Sequence, residues 1–185
     1  MSRESPSAAS SGWECAYVGL GSNEGARARH LCSALAALRA SPDVRDLAVS
    51  SLYETRHIGP DLQAPHLNAV ARFETRLSPR ALLARLLAIE CESGRVRERR
   101  HGAPRTLDLD LLLFGARRID EPDLVVPHPR LHLRAFVLEP LAEVAPRLVH
   151  PSLGEAIEVL AARVRDPAAV RRCVPSEEPA WPSPQ

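Results

Sequence analysis

Apolar and polar positions change period repeatedly along this chain, and each change marks an element. Residues 15–20 form an apolar run closed by Gly21-Ser22-Asn23, which reads as a buried strand and a tight turn, with Ser22 or Asn23 capping the next helix. From 26 to 40 the spacing becomes helical, with Leu31, Leu35 and Leu38 on one stripe, and Ser41-Pro42 ends it. Residues 47–55 and 67–77 alternate as strands, separated by a loop containing Gly59-Pro60 and Pro65. Ser78-Pro79 is a helix start, the serine at the N-cap and the proline at the first turn. Leu82, Leu83, Leu86, Leu87 and Glu90 carry that helix to Gly94. An arginine-crowded loop then enters the strand Leu107-Asp108-Leu109-Asp110-Leu111-Leu112-Leu113. Residues 117–126 suggest a short hairpin or edge strand, and Pro127-His128-Pro129 is a stiff turn. Helices at 133–144, interrupted near Pro140, and at 153–164 complete the pattern.

The order β-α-β-β-α-β followed by extra helices predicts an α+β fold. Its core is the ferredoxin-like split βαβ, with a mainly antiparallel sheet flanked by helices. The 185 residues suit a single domain spanning 13–166, between a small-residue polar tail at 1–12 and a proline-rich tail at 167–185, both expected to be disordered.

Composition changes this picture little. Apolar residues make up 45% and charged residues 25%, the ordinary balance of a globular protein. A formal net charge of +1 supplies no global pull toward nucleic acid or an anionic membrane. All 24 basic residues are arginine, so a Walker-type phosphate loop and lysine Schiff-base chemistry are both excluded. Cys15, Cys32, Cys91 and Cys173 show no zinc-binding spacing and read as thiols of a reducing, cytoplasmic compartment. No run approaches the length of a membrane span, and residues 1–11 lack the apolar core of a secretion signal.

The candidate chemistry centres on residues 94–115. Asp108 and Asp110, two apart on a strand, share one face, while Leu107, Leu109 and Leu111 point into a core. The bland reading is a solvated pair on an exposed face. Aspartate is a poor strand former, however, and two adjacent carboxylates repel unless a proton or cation lies between them. Upstream, Arg95, Arg97, Arg99, Arg100 and Arg105 can take phosphate oxygens, so the pair and the loop together suggest a magnesium–polyphosphate site. Such a loop also suits a lid that excludes water. An RNA patch would bring stacking aromatics, and there are none between residues 74 and 113. Gly19-Leu-Gly21-Ser-Asn-Glu-Gly25 misplaces the third glycine of a dinucleotide fingerprint, so a tight turn explains it better. His128, between prolines, is either an idle turn residue or a rigidly held phosphate donor. Asn68 either caps a strand or reads a heterocycle edge with its paired donor and acceptor.

The run His101-Gly-Ala-Pro-Arg105-Thr-Leu-Asp108-Leu-Asp110-Leu-Leu resembles the signature of the 6-hydroxymethyl-7,8-dihydropterin pyrophosphokinases of folate biosynthesis. Further blocks match the same family in order: Tyr17-Val-Gly-Leu-Gly-Ser-Asn23, Ser50-Ser-Leu-Tyr-Glu-Thr55, Gly59-Pro60, Leu67-Asn68-Ala69, Gly94-Arg-Val-Arg97 and Val126-Pro-His128 through Arg134-Ala-Phe136. The resemblance covers roughly residues 14–165. It implies transfer of the β,γ-diphosphate of ATP to the pterin hydroxymethyl group, with release of AMP. Asp108 and Asp110 would bind two Mg²⁺ ions, and Arg95, Arg97 and Arg105 would stabilise charge on the transferring group. ATP would meet Glu90, Arg95, Arg105, Leu111, His128 and Arg134. The pterin would meet Thr55, His57, Ile58, His66 and Asn68, with Phe136 stacked on its ring. The chain would act as a monomer on small molecules, without nucleic acid or membrane. Gly102, His66, Arg56-His57 and Pro129 depart from the family's usual aromatics and prolines. The alternative reading is a non-catalytic nucleotide- or RNA-binding relative that uses the arginine loop.

Overall fold

A computed structural model describes residues 12–55, 64–94, 104–173 and 181–182. It contains β1 (Glu14–Ser22), α1 (Arg27–Arg39), β2 (Val44–Val49), β3 (Leu52–Thr55), β4 (His66–Thr75), α2 (Pro79–Glu92) and β5 (Asp108–Phe114). After these come the hairpin β6 (Ile119–Glu121) and β7 (Leu124–Val126), a 3-10 turn at Leu131–Leu133, α3 (Ala135–Val144), α4 (Ile157–Val164) and β8 (Val170–Cys173). The main sheet runs β5-β1-β4-β3-β8, with β2 also on β4, and its ladders are antiparallel. This is the strand order of the expected ferredoxin-like core, extended by one strand.

The helix signals act locally as expected. Ser78 Oγ accepts from the Ala81 amide at 3.2 Å, and Pro79 occupies the first turn. Pro140 lies inside α3 without ending it. The predicted strand at 47–55 is instead two strands. Asp46 adopts φ 51°, where aspartate is tolerated, and the β2–β4 register shifts between Arg45 and Ala48. Ser50 and Ser51 then divide the segment because a serine hydroxyl and a glutamate carboxylate replace ladder partners there. Ser50 Oγ accepts from the Val70 amide at 3.0 Å, while the Ser51 amide donates to Glu143 of α3 at 3.0 Å.

The sheet buries both faces. On one, Val18, Leu20, Ala69, Phe73, Leu109 and Leu111 meet Leu31, Leu35 and Leu38 of α1 and Leu82, Leu86 and Ile89 of α2. On the other, Tyr17, Val70, Leu112 and Leu113 meet Val137, Leu138 and Leu141 of α3 and Ile157 and Leu160 of α4. An irregularity in the β1–β5 register at Tyr17/Val18 brings both Leu112 and Leu113 to the second face. The segment from 167 onward, read from sequence as tail, contains β8, which pairs residue for residue with β3. Beyond it, Trp181 Nε1 donates to the Ser50 carbonyl at 2.8 Å. No helix among the described residues is long and apolar enough to cross a membrane.

Candidate active site

The second face of the sheet also carries the aspartate pair of the candidate site. Antiparallel pairing sets Gly21 opposite both Asn68 and Asp108, and Gly19 opposite Asp110. These residues, with His66, Arg105, Arg134 and Phe136, line a cavity of about 200 Å³. Glycine weakens a strand interior, and here its missing side chain leaves the floor open. A Cβ on Gly21 would lie 3.6 Å from Asn68 Oδ1 and 3.8 Å from Asp108 Cβ, in ordinary contact but inside the cavity. The turn-and-cap reading of this motif is therefore corrected. Ser22 is the last residue of β1, and the N-cap of α1 is Ala26 without a side-chain cap. Asn23 instead accepts at Oδ1 from the Arg105 amide (2.8 Å), while its own amide donates to the Arg105 carbonyl (3.1 Å).

That clamp fixes Arg105, whose Nη1 lies 2.6 Å from Asp108 Oδ2. Asp110 Oδ2 faces Arg134 Nη1 at 3.8 Å and His128 Nε2 at 4.0 Å. The His128 amide donates to the Leu112 carbonyl at 2.9 Å, which seats the Pro-His-Pro turn on β5. His128 Nδ1 accepts from the Arg130 amide at 3.2 Å, so the neutral ring carries its hydrogen on Nε2, the atom nearer Asp110. Burial and then the charge of Asp108 push the Asp110 carboxyl above its ordinary range, against the pull of His128, Arg134 and Arg105. Burial lowers the His128 pKa despite Asp110, with Arg134 and Arg130 adding to the effect. Burial, then Arg130, lowers that of Arg134, which stays cationic at neutral pH.

Two further recesses flank this centre. One of about 380 Å³ is lined by Leu83, Leu87, Glu90, Leu124 and His128, and shares Asp108 and Asp110 with the first. Glu90 is only 1% exposed, and its Oε1 accepts from the Leu109 amide at 2.7 Å, tying α2 to β5. Leu111, also buried, borders the same recess. The other, about 440 Å³, is bounded by Thr55, His66, Asn68, Arg134 and Phe136, with Val164, Asp166, Ala169 and Val170. Asn68 lies within β4 rather than capping it, and its Nδ2 donates to Thr55 Oγ1 at 3.0 Å. The Arg134 guanidinium sits 5.5 Å from the Phe136 ring centroid, a cation–π contact.

The structure thus gathers Thr55, His66, Asn68, Glu90, Arg105, Asp108, Asp110, Leu111, His128, Arg134 and Phe136 around three adjoining recesses. His57, Ile58, Arg95, Arg97, Arg99, Arg100 and Gly102 lie outside the described residues. Sequence reasoning missed the roles of Gly19, Gly21 and Asn23; the signal was two glycines two apart inside an apolar run. No group of three or more metal-binding side chains occurs among the described residues. The aspartate pair nevertheless fits Mg²⁺, which takes one or two carboxylates and completes its shell with water and phosphate oxygens.

A sequence model of the 7,8-dihydro-6-hydroxymethylpterin-pyrophosphokinase (HPPK) family matches residues 17–146. The chain belongs to the HPPK family. It is 49% identical over 146 residues to a Pseudomonas aeruginosa 2-amino-4-hydroxy-6-hydroxymethyldihydropteridine pyrophosphokinase, covering 79% of this chain and 90% of that one. A Bacillus subtilis protein of the same name is 48% identical over 129 residues, 70% of this chain and 77% of its own. Among solved structures, a Plasmodium falciparum HPPK-DHPS variant with pterin and p-hydroxybenzoate superposes with a TM-score of 0.67 at 13% identity, over 88% of this chain. At that identity the likeness is one of fold. The HPPK chain spans 47% of that longer protein.

Proposed function

We propose that this HPPK-family chain transfers the β,γ-diphosphate of ATP to the hydroxymethyl group of 6-hydroxymethyl-7,8-dihydropterin, releasing AMP, in folate biosynthesis. The observation that carries the reading is the aspartate pair shared by two recesses, with cationic and hydrogen-donating side chains on both flanks.

In this reading ATP occupies the recess of Leu83, Leu87, Glu90, Leu111 and Leu124, its phosphates directed toward β5. His128 donates from Nε2 to a phosphate oxygen, and Arg134 and Arg105 add positive charge beside it. Arg95 and Arg97 join them by their place in the sequence motif. The pterin lies over Gly19 and Gly21, with its polar edge on the Asn68 amide, which Thr55 orients. Phe136 and His66 meet its faces, and His57 and Ile58 complete that side by their place in the sequence. Asp108 and Asp110 would hold two Mg²⁺ ions, which when bound neutralise phosphate charge and acidify the acceptor hydroxyl. The hydroxymethyl oxygen attacks the β-phosphorus and gives its proton to solvent water, as the bond to the α,β-bridging oxygen breaks and AMP leaves with that oxygen. Such a transfer needs in-line positioning and charge stabilisation more than a covalent nucleophile, and the chain supplies both.

We further propose a monomer that acts in the cytoplasm without nucleic acid; the four free thiols fit that setting. The deciding experiment mixes the protein with ATP, Mg²⁺ and hydroxymethyldihydropterin and resolves the nucleotide products. AMP in step with pterin diphosphate is expected. ADP in its place, or no turnover, sinks the assignment.

A further inference from the structure

The site extends beyond the sequence motifs into the part of the chain read as tail. The 440 Å³ recess has one side built from Val164, Asp166, Ala169 and Val170. This side is a locked turn. Asp166 Oδ1 accepts from the amides of Ala168 (3.0 Å) and Ala169 (3.2 Å). The Asp166 carbonyl accepts from the amides of Ala169 (3.1 Å) and Val170 (2.9 Å). Asp166 itself is exposed, so four bonds made at the surface set the backbone that faces the recess.

The turn leads directly into β8, where Val170 pairs with Thr55, the residue whose hydroxyl accepts from Asn68. β3 is a four-residue strand, and β8 covers its outer edge along its whole length. The end of β3 that bears Thr55 is therefore held by β4 on one side and the C-terminal segment on the other. A second tie acts on the same strand: Glu143 of α3 accepts from Ser51 and Tyr53 and lies 3.4 Å from Arg172 of β8.

We propose that residues 166–170 form the outer wall of the heterocycle pocket and set its affinity, with Asp166 as a positioning residue. This rests on the pterin reading of the pocket. Ala169 and Val170 bring a methyl and an isopropyl group to the wall beside Asp166, whereas Asn68 and Thr55 on the opposite strands read the polar edge. Ala169 is the place where a larger side chain closes the slot. The wall therefore bounds a flat heterocycle on its outer side and leaves the nucleotide recess, on the far side of Asp108 and Asp110, untouched.

The full-length chain tests this with Asp166→Ala, Asp166→Asn and Ala169→Trp, reading KM for pterin and for ATP separately. Loss of the turn lock is expected to raise pterin KM about tenfold in Asp166→Ala, with ATP KM within about twofold of the unaltered chain. Asp166→Asn, whose side-chain oxygen still accepts both amides, restores pterin KM. Ala169→Trp raises it without help from the turn. Unchanged pterin KM in both Asp166→Ala and Ala169→Trp overturns the wall assignment, as does an equal rise in both substrates' KM, the mark of general loosening. If the unaltered chain turns over no pterin, the underlying reading fails instead, and the wall assignment with it.

Discussion

Gly21→Ala separates stability from binding because the two should move in opposite directions. Gly21 sits inside β1, paired on both sides, and its φ is not in the left-handed region. A methyl group there meets its nearest neighbours at 3.6 Å and 3.8 Å, so the fold need not shift to accept it. Replacing a strand glycine by alanine stabilises by about 0.5–1 kcal/mol, mainly through lost unfolded-chain entropy. For a chain of this size that raises Tm by about 1–4 °C. The same methyl projects into a cavity of about 200 Å³, between Asn68 and Asp108, where the pterin is placed. Overpacking of that kind costs about 1–3 kcal/mol, which weakens pterin binding by roughly 5- to 150-fold. ATP affinity should hold, because the recess proposed for the nucleotide does not include Gly21. Thermal melts and substrate-resolved steady-state kinetics check both halves. A lower Tm would refute the packing argument, and an unchanged pterin KM would refute the placement of the heterocycle over β1.

The same structure yields three further expectations. Asp108→Asn and Asp110→Asn keep side-chain shape while removing charge, so turnover should fall by at least about 100-fold with Tm nearly unchanged; near-normal rates in either would discard the metal role. Glu143→Ala orphans the Ser51 amide, Ser51 Oγ and the Tyr53 hydroxyl, which donate to it at 3.0, 2.8 and 3.0 Å. The side chain retains 20% exposure, so water softens the loss to about 2–4 kcal/mol, a fall in Tm of about 5–15 °C; a change under about 2 °C would mean the network is idle. Finally, a thiol reagent at neutral pH should label exposed Cys91 well before Cys32 and Cys173, whose thiols burial pushes up. Peptide mapping that found the reverse order would contradict the burial assigned to them.

Much of the site could be read directly from the chain because its chemistry is local. Alternation along one strand is enough to put Asp108 and Asp110 on one face. Ser78-Pro79 starts a helix by contacts within a single turn, and the leucine stripe of α1 is set by spacing over two turns. The partition of 47–55 into two strands was not legible, since it depends on Val70 and Glu143 taking the serines' partners from other elements. Nor was the meaning of Gly19-Leu-Gly21-Ser-Asn23. Glycine in a turn and glycine under an open cavity look alike until β4 and β5 set Asn68 and Asp108 beside them. Glu90 was placed beside the nucleotide by the family resemblance alone, and only packing reveals it buried against the Leu109 amide.

The amino-acid order by itself determined the period of each element, the sequence of elements and the residue types available for phosphate, metal and heterocycle. Those properties depend on neighbours within a few positions. Tertiary structure alone decided which residues share a cavity, because Thr55, Asn68, Asp110, Arg134 and Val170 belong to distant stretches that only antiparallel register and helix packing bring together. It also decided that Val170–Cys173 is a strand at all. That segment has too few apolar positions to announce itself, and it becomes ordered because the open edge of β3 offers it hydrogen bonds.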